Sequence, residues 1–384
     1  MAGAILECEL KPASADRTRF DLAGKQDDAE IRRLLRENPM RGQISVSMER
    51  EPNYFADANI PGEVKQTIVA RNNEQLAAVG ACTIRHRFVN GKPAWVGYLG
   101  GLRLDAGYEG RFDILRRGYD FFRELQTSNP ADFYFTSIAA DNERARNFLE
   151  RGIRGMPTYE FIGEFVTLLI PTRRSARVKT CVDSHTDVRP GFSGQSDRFF
   201  QFLNEANAAF QFSPCWTAQE LSTLKTLGLS ESDFCFHSKE GKIAGCAALW
   251  DQRIFKQTVA RGYTRTVAFA RPVLNAASPI TGQPRLPAIG AVLSNAFASH
   301  LATRKGDEHL MARLIADLAV TAHKRGIELL TLGFAANDLR LESVCRQFRC
   351  RKYHSRIYVV RWPDIGGSVR ELDGRLINPE AALL

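Results

Sequence analysis

Apolar and polar positions alternate with a period of two from Gln66 to Asp105, broken at two points by turn-forming residues. The segments QTIVAR (66–71), QLAAVGACTIRHRFV (75–89) and AWVGYLGGLRLD (94–105) read as strands, and Asn90-Gly91 joins the second to the third, which predicts an antiparallel meander. The period then lengthens. Between Arg111 and Leu125 the apolar residues Leu115, Tyr119 and Phe122 recur at i, i+4 and i+7, with Ile114, Phe121 and Leu125 widening the stripe, the pattern of an amphipathic helix. A strand (FYFTSIAA, 133–140) follows, then a helix over 142–151 between the cap-capable Asp141 and Gly152, then a strand (TYEFIGEFVTLLI, 158–170) ended by Pro171. A helix over DDAEIRRLLREN (27–38) precedes them all. The order is helix, β-meander, helix, strand, helix, strand.

The second half repeats this order. Helix 199–210, strands 233–238 and 242–252, helix 309–325, strand 329–334, helix 338–348 and strand 354–362 follow one another, and short words recur: VGAC (79–82) answers IAGC (243–246), and IAADN (138–142) answers FAAND (334–338). Gly80 and Ala139 lie 59 positions apart and Gly245 and Ala335 lie 90 apart, so the second copy carries about 31 additional residues. The Pro-rich arm RPVLNAASPITGQPRLPAIG (271–290), part of an insertion over about 264–290, accounts for much of the excess and reads as a loop. The expected division is an N-terminal domain over 1–172, a linker over 173–195 and a C-terminal domain over 196–384. The fold class is α/β in the α+β sense, each copy a mixed, mostly antiparallel sheet flanked by helices.

Composition narrows the chemistry. The chain of 384 residues is 44% hydrophobic and 25% charged, and no apolar run approaches the ~18 residues of a membrane span. The first residues lack the basic start and long apolar core of a secretory signal, so a cytoplasmic location without a membrane partner is expected. Eight cysteines with no CxxC pair point to reduced thiols and no metal. A net charge of +9 favours an anionic partner, while the densest basic groups, Arg173-Arg174 with Arg177 and Lys179, and Arg346 through Arg356, read as solvated faces. Histidine spacing offers no metal site, and no Gly-x-Ser-x-Gly elbow, phosphate-binding P-loop or RNA-binding signature occurs, which sets aside hydrolase and kinase readings and leaves nucleic acid unfavoured.

The repeated order resembles the GNAT acyltransferase superfamily, twice over. The resemblance implies acetyl-CoA or another acyl-CoA as co-substrate, entering where one strand splays from its neighbour. The backbone of Leu102, Arg103 and Leu104, just after Gly100-Gly101, would face the acyl group. The family's pyrophosphate loop, Arg/Gln-x-x-Gly-x-Gly/Ala, falls on Glu109-Gly110-Arg111-Phe112-Asp113-Ile114, with Gly110 kept at a spacer and both motif glycines replaced. Amide donors at a helix start do not depend on side chains, so the nest survives if Phe112 turns into the core. Arg103, Arg111, Arg116 and Arg117 surround the loop, and the resemblance also puts Ser137 and Asn142 on the cofactor. The corresponding loop of the second copy, ATRKGDEHLMARL, sets Asp307 and Glu308 beside Gly306, which suits a structural or acceptor-binding role.

Acyl transfer to an amine needs a base, oxyanion donors and an acid for the thiolate. The family's usual acid, a Tyr seven residues after the Asn that starts the helix, falls here on Leu149. Tyr98, His86 and Glu160 are the candidate catalytic side chains, with Tyr108, Tyr119, Tyr134, Tyr159 and Glu164 nearby. The resulting expectation is N-acyl transfer to a small-molecule or peptide amine bound between the copies. Two alternatives stand: a Fem-like aminoacyltransferase using aminoacyl-tRNA, and a non-catalytic binding protein on the same fold.

Overall fold

A computed structural model describes residues 18–127, 130–175, 187–190, 196–362 and 371–384. The first 17 residues with Cys8, and most of the expected linker with Arg177, Lys179 and Cys181, lie outside these. The first half runs β1 (Thr18–Leu22), α1 (Asp28–Glu37), β2 (Ile44–Glu49), β3 (Glu63–Asn72), β4 (Gln75–Val89), β5 (Lys92–Leu104), α2 (Phe112–Leu125), β6 (Phe133–Ala139), α3 (Glu143–Leu149) and β7 (Thr158–Pro171). A short α4 (Thr172–Ser175) and β8 (Asp187–Pro190) lead to α5 (Ser196–Asn207), α6 (Leu221–Thr226), β9 (Phe234–Lys239), β10 (Lys242–Trp250), β11 (Gln257–Tyr263), α7 (Arg265–Thr281), β12 (Asn295–Thr303), α8 (Glu308–Lys324), β13 (Leu329–Ala335), α9 (Leu339–Gln347) and β14 (Arg351–Arg361).

The predicted meander is β3-β4-β5, paired antiparallel throughout. Asn90 and Gly91 turn it with φ of 52° and 77°, the left-handed pair that a two-residue hairpin requires. The repeated words occupy equivalent places: VGAC and IAGC lie in β4 and β10, with Cys82 and Cys246 buried, and the IAADN and FAAND segments lead out of β6 and β13 into α3 and α9.

The two copies do not keep separate sheets. Twelve strands form one sheet in the order β1-β3-β4-β5-β6-β14-β7-β13-β12-β10-β9-β8. Each half has given its last strand to the other: β14 pairs with β6 of the first half, and β7 pairs with β13 of the second. Their side chains follow. Leu168 and Ile170 of β7 pack with Leu314 and Leu318 of α8, while Ile357 and Val359 of β14 pack with Val96, Phe133 and Phe135. Burying each such side chain contributes roughly 1.5–3 kcal/mol. A second, two-stranded sheet, β2 with β11, also joins the halves.

Three sequence expectations change. The 271–290 arm is not all loop, since α7 continues through it to Thr281 with Pro272 and Pro279 inside. Both prolines are exposed and seven residues apart, so the carbonyls they leave unpaired, one turn earlier, face the solvent side. Strand β12, NAFASHLAT, has no sequence signature, because its small and polar residues carry little strand preference; neighbouring β10 and β13 impose its conformation. Strands β1, β2 and β11 were missed for a similar reason, being short and defined by their partners.

Candidate functional site

Strands β5 and β6 run parallel but stay paired only from Val96 opposite Phe133 to Leu99 opposite Thr136. The Thr136 hydroxyl donates to the Leu99 carbonyl at 2.7 Å. Past that point β5 bulges: Ala81 faces Gly100, but Val79 faces Arg103, so β5 carries one extra residue. Gly101 takes a φ of +65° there, and a Cβ would meet only the Ala81 side chain at 3.9 Å, so conformation and not crowding selects glycine. Residues 100–104 of β5 and 137–139 of β6 then border an open wedge.

The structure gathers some of the predicted residues at this wedge and scatters others. Leu102, Arg103 and Leu104 form its β5 wall, and Ser137 lies on its β6 wall. The Arg103 guanidinium is half-buried, donates to the Leu102 carbonyl at 2.7 Å, and has its pKa lowered by burial against the opposing pull of Tyr353 and Tyr98. Tyr98 packs on Phe135 with ring centres 5.1 Å apart. Burial pushes its phenol up to about 12 although Arg87, Arg103 and Arg50 pull it down, so at neutral pH Tyr98 holds its proton and can donate it. His86 is displaced from this chemistry by strand alternation: paired opposite Trp95 and stacked on it at 4.1 Å, it lies on the other face of the sheet from Tyr98. Glu160 shares a row with Tyr98, Phe135 and Val359 but stands three strands away, roughly 14 Å at the usual strand spacing, and pairs with Arg361 at 3.0 Å. Tyr134 donates to Gln126 at 2.9 Å within the core, and the Tyr119 and Tyr159 hydroxyls bond each other. Asn142 caps α3, accepting from the Ala145 amide at 3.1 Å.

The loop into α2 has kept its turn and spent most of its donors. The Gly107 amide donates to the Asp105 carboxylate at 2.9 Å, and the amides of Tyr108, Arg111, Phe112 and Ile114 donate to the carbonyls of Asp105, Tyr108, Gly110 and Arg111. Asp113 pairs with Arg111 at 2.8 and 2.6 Å, which is the first cause of its lowered pKa. Glu109 pairs with Arg144 at 3.1 Å. Phe112 does not turn into the core: it is 49% exposed and stacks on Phe148 at 4.5 Å, tying the first turn of α2 to α3.

The second half contains the same wedge, filled. β12 and β13 pair only from Asn295 opposite Leu329 to Phe297 opposite Thr331, and β12 bulges against β10 around His300, whose φ is +53°. Residues 381–383 lie against both strands. Ala381 packs at Gly333, and Gln252 donates to the Ala382 carbonyl at 2.9 Å. Burial raises Glu380 to about 7 against the pull of the nearby His300 amide and of Arg87 and Arg85.

Sequence reading missed a cluster on the Tyr98 face, because its members come from segments with no pattern of their own. Asp57 receives Arg50 at 2.6 Å and Lys65, and these two hold it well below the usual carboxylate range despite burial. Burial, with Arg50, brings Lys65 down to about 8; burial, with Arg50 and Lys65, brings Lys256 down to about 7. Among the described residues no group of three His, Cys, Asp or Glu is placed to hold a metal ion.

No protein-family model matches the sequence, nor does any curated protein. Solved structures do. A GCN5-related N-acetyltransferase from Sphaerobacter thermophilus superposes with a TM-score of 0.55 at 12% identity, over 92% of this chain and 99% of that one. The fold is that of the GCN5-related N-acetyltransferases, or GNAT proteins. Saccharomyces cerevisiae N-myristoyltransferase with bound myristoyl-CoA superposes with a TM-score of 0.57 at 14% identity, over 95% of this chain and 89% of that one. A tandem GNAT protein from the clavulanic acid biosynthesis pathway does so with 0.56 at 10%, over 90% and 98%. β5 and β6 part where the sequence resemblance expected a splayed pair. Among the described residues no helix is long and apolar enough to cross a membrane.

Proposed function

We propose that the chain is an acyltransferase that takes its acyl group from acyl-CoA in the first-half wedge and passes it to an amine bound on the Tyr98 face. The observation that carries this reading is the pair of wedges: the one at Gly101 is open where the one at His300 is filled by the chain itself. The thioester carbonyl would lie against the bulged backbone of β5, whose amides offer oxyanion donors. Tyr98, protonated at neutral pH, would give its proton to the departing thiolate. Lys256 and Glu380, both held at about 7, are the groups suited to take the amine's proton. Acetyl-CoA is the first donor to test.

The loop qualifies the reading in one respect. A diphosphate at the start of α2 meets amides already bonded to the loop's own carbonyls, beside the negative charge of the Asp113 carboxylate. Titration calorimetry with acetyl-CoA and myristoyl-CoA, followed by thiol-release assays over a panel of amines, tests the reading. Binding with thiol release that falls at least about tenfold in Tyr98→Phe, with Kd unchanged, supports it. Binding without release for any amine favours the non-catalytic alternative, and absence of binding removes both.

A further inference from the structure

Six of the sixteen large hydrophobic side chains that stand exposed among the described residues fall within 269–292. On α7, Phe269, Val273 and Ile280 follow at four and seven residues, the spacing of one helix face, and are 89%, 72% and 88% exposed. The polar residues of the same helix bond inward to the segment that returns after it. Arg271 and Asn275 donate to the Leu286 carbonyl at 3.2 and 3.0 Å, Asn275 accepts from the Leu286 amide at 2.7 Å, and Ser278 donates to the Gln283 carbonyl at 2.6 Å. The helix is therefore inside out: its hydrogen-bonding side is used by its own arm, and water meets its apolar side. Exposed apolar surface of this extent on one element marks a docking face.

Charge selects the partner. No Asp or Glu occurs between Gln252 and Gly306, whereas eight Arg and Lys do. Arg265, at the start of α7, and Arg285, in the return segment, are exposed. We propose that this arm docks on the surface of an anionic lipid bilayer, with α7 lying in the plane of the interface, Phe269, Val273 and Ile280 entering the acyl-chain boundary, and the arginines meeting lipid phosphates and carboxylates. A second copy fits less well, because a two-fold contact would set the same acid-free face against itself and oppose arginine to arginine. Composition argued against a membrane partner only because no apolar run can span a bilayer; a docking helix needs no such run. The proposal does not depend on the acyltransferase reading.

Flotation of the full chain with vesicles of phosphatidylcholine, alone and mixed with phosphatidylserine, tests it. The chain is expected to float with the mixed vesicles and not the neutral ones, and to be released as salt is raised. Phe269→Glu with Ile280→Glu should abolish flotation while leaving the melting temperature unchanged, since both side chains are exposed. Arg265→Gln with Arg285→Gln should weaken partitioning by about fivefold per charge removed. Failure to float with mixed vesicles overturns the proposal, as does flotation that neither pair of substitutions alters. A dimer in sedimentation that the Glu pair dissolves, with no vesicle binding, would assign the face to a second copy instead.

Discussion

At the scale of single residues the strongest commitments are buried charges. Asp57 is the one carboxylate directly paired between Arg50 and Lys65. Asp57→Asn leaves two desolvated cations facing each other, and we expect a loss of about 3 kcal/mol in urea unfolding. Glu380 is raised to about 7 because burial disfavours its charged form. A carboxyl raised in this way supports the native state fully below its unfolded pKa and loses that support as pH climbs through about 7. Glu380→Gln should therefore melt close to the unaltered chain at about pH 5 and above it at about pH 8, where the unaltered chain carries the charge. A melting difference that does not grow with pH would mean the carboxyl is not held in its neutral form. None of this was legible in the sequence, where Asp57, Lys65 and Glu380 sit in stretches with no periodicity; desolvation is a property of what surrounds a group.

At the scale of elements, α2 shows how much a pattern can and cannot tell. Its amphipathic stripe predicted the helix within one residue at its start, and Ile114 and Phe122 are buried as the stripe requires. The state of its first turn was not predictable, because whether an amide is free depends on where the Asp113 carboxylate goes. The structure turns that carboxylate to the Arg111 guanidinium and the Ile114 amide to the Arg111 carbonyl. Asp113→Ala should accordingly remove a negative charge from the start of α2, tightening acetyl-CoA binding by about tenfold in calorimetry at a cost of about 0.5 kcal/mol in stability from the lost helix-dipole interaction. Weaker binding in this variant would mean that the loop does not hold the diphosphate. Helix α7 teaches the converse: its prolines read as a loop, yet on the solvent side of a helix a proline removes bonds that water replaces.

At the scale of the molecule the exchange of β7 and β14 ties the halves into one sheet. Arg85 of β4 adds a buried lock, bonding Glu63 at 2.6 Å and Glu220 of the second half at 2.9 Å, with its guanidinium 4.4 Å over the Trp216 ring. We expect the chain to unfold in one transition, with tryptophan fluorescence and far-ultraviolet circular dichroism coincident. The isolated segment 1–172 should fail to form a soluble domain, since the edge of β6 loses β14 and β7 loses both neighbours. Two separated transitions, or a soluble and folded 1–172, would show that the exchange adds little to the fold.

Periodicity and turn chemistry by themselves determined the helices and strands of the splayed scaffold and the repeat that places them twice, because those signals are local: a face of a helix or a pleat is written in residues a few positions apart. The Gly100-Gly101 pair marked the bulge for the same reason. Only the tertiary structure decided which half keeps its wedge open, which strand completes which half, and that His86 faces away from Tyr98 while Asp57 gathers Arg50 and Lys65. Those outcomes depend on chain segments hundreds of residues apart meeting in a low-dielectric interior, where strand order, burial and charge are set by neighbours that no local pattern encodes.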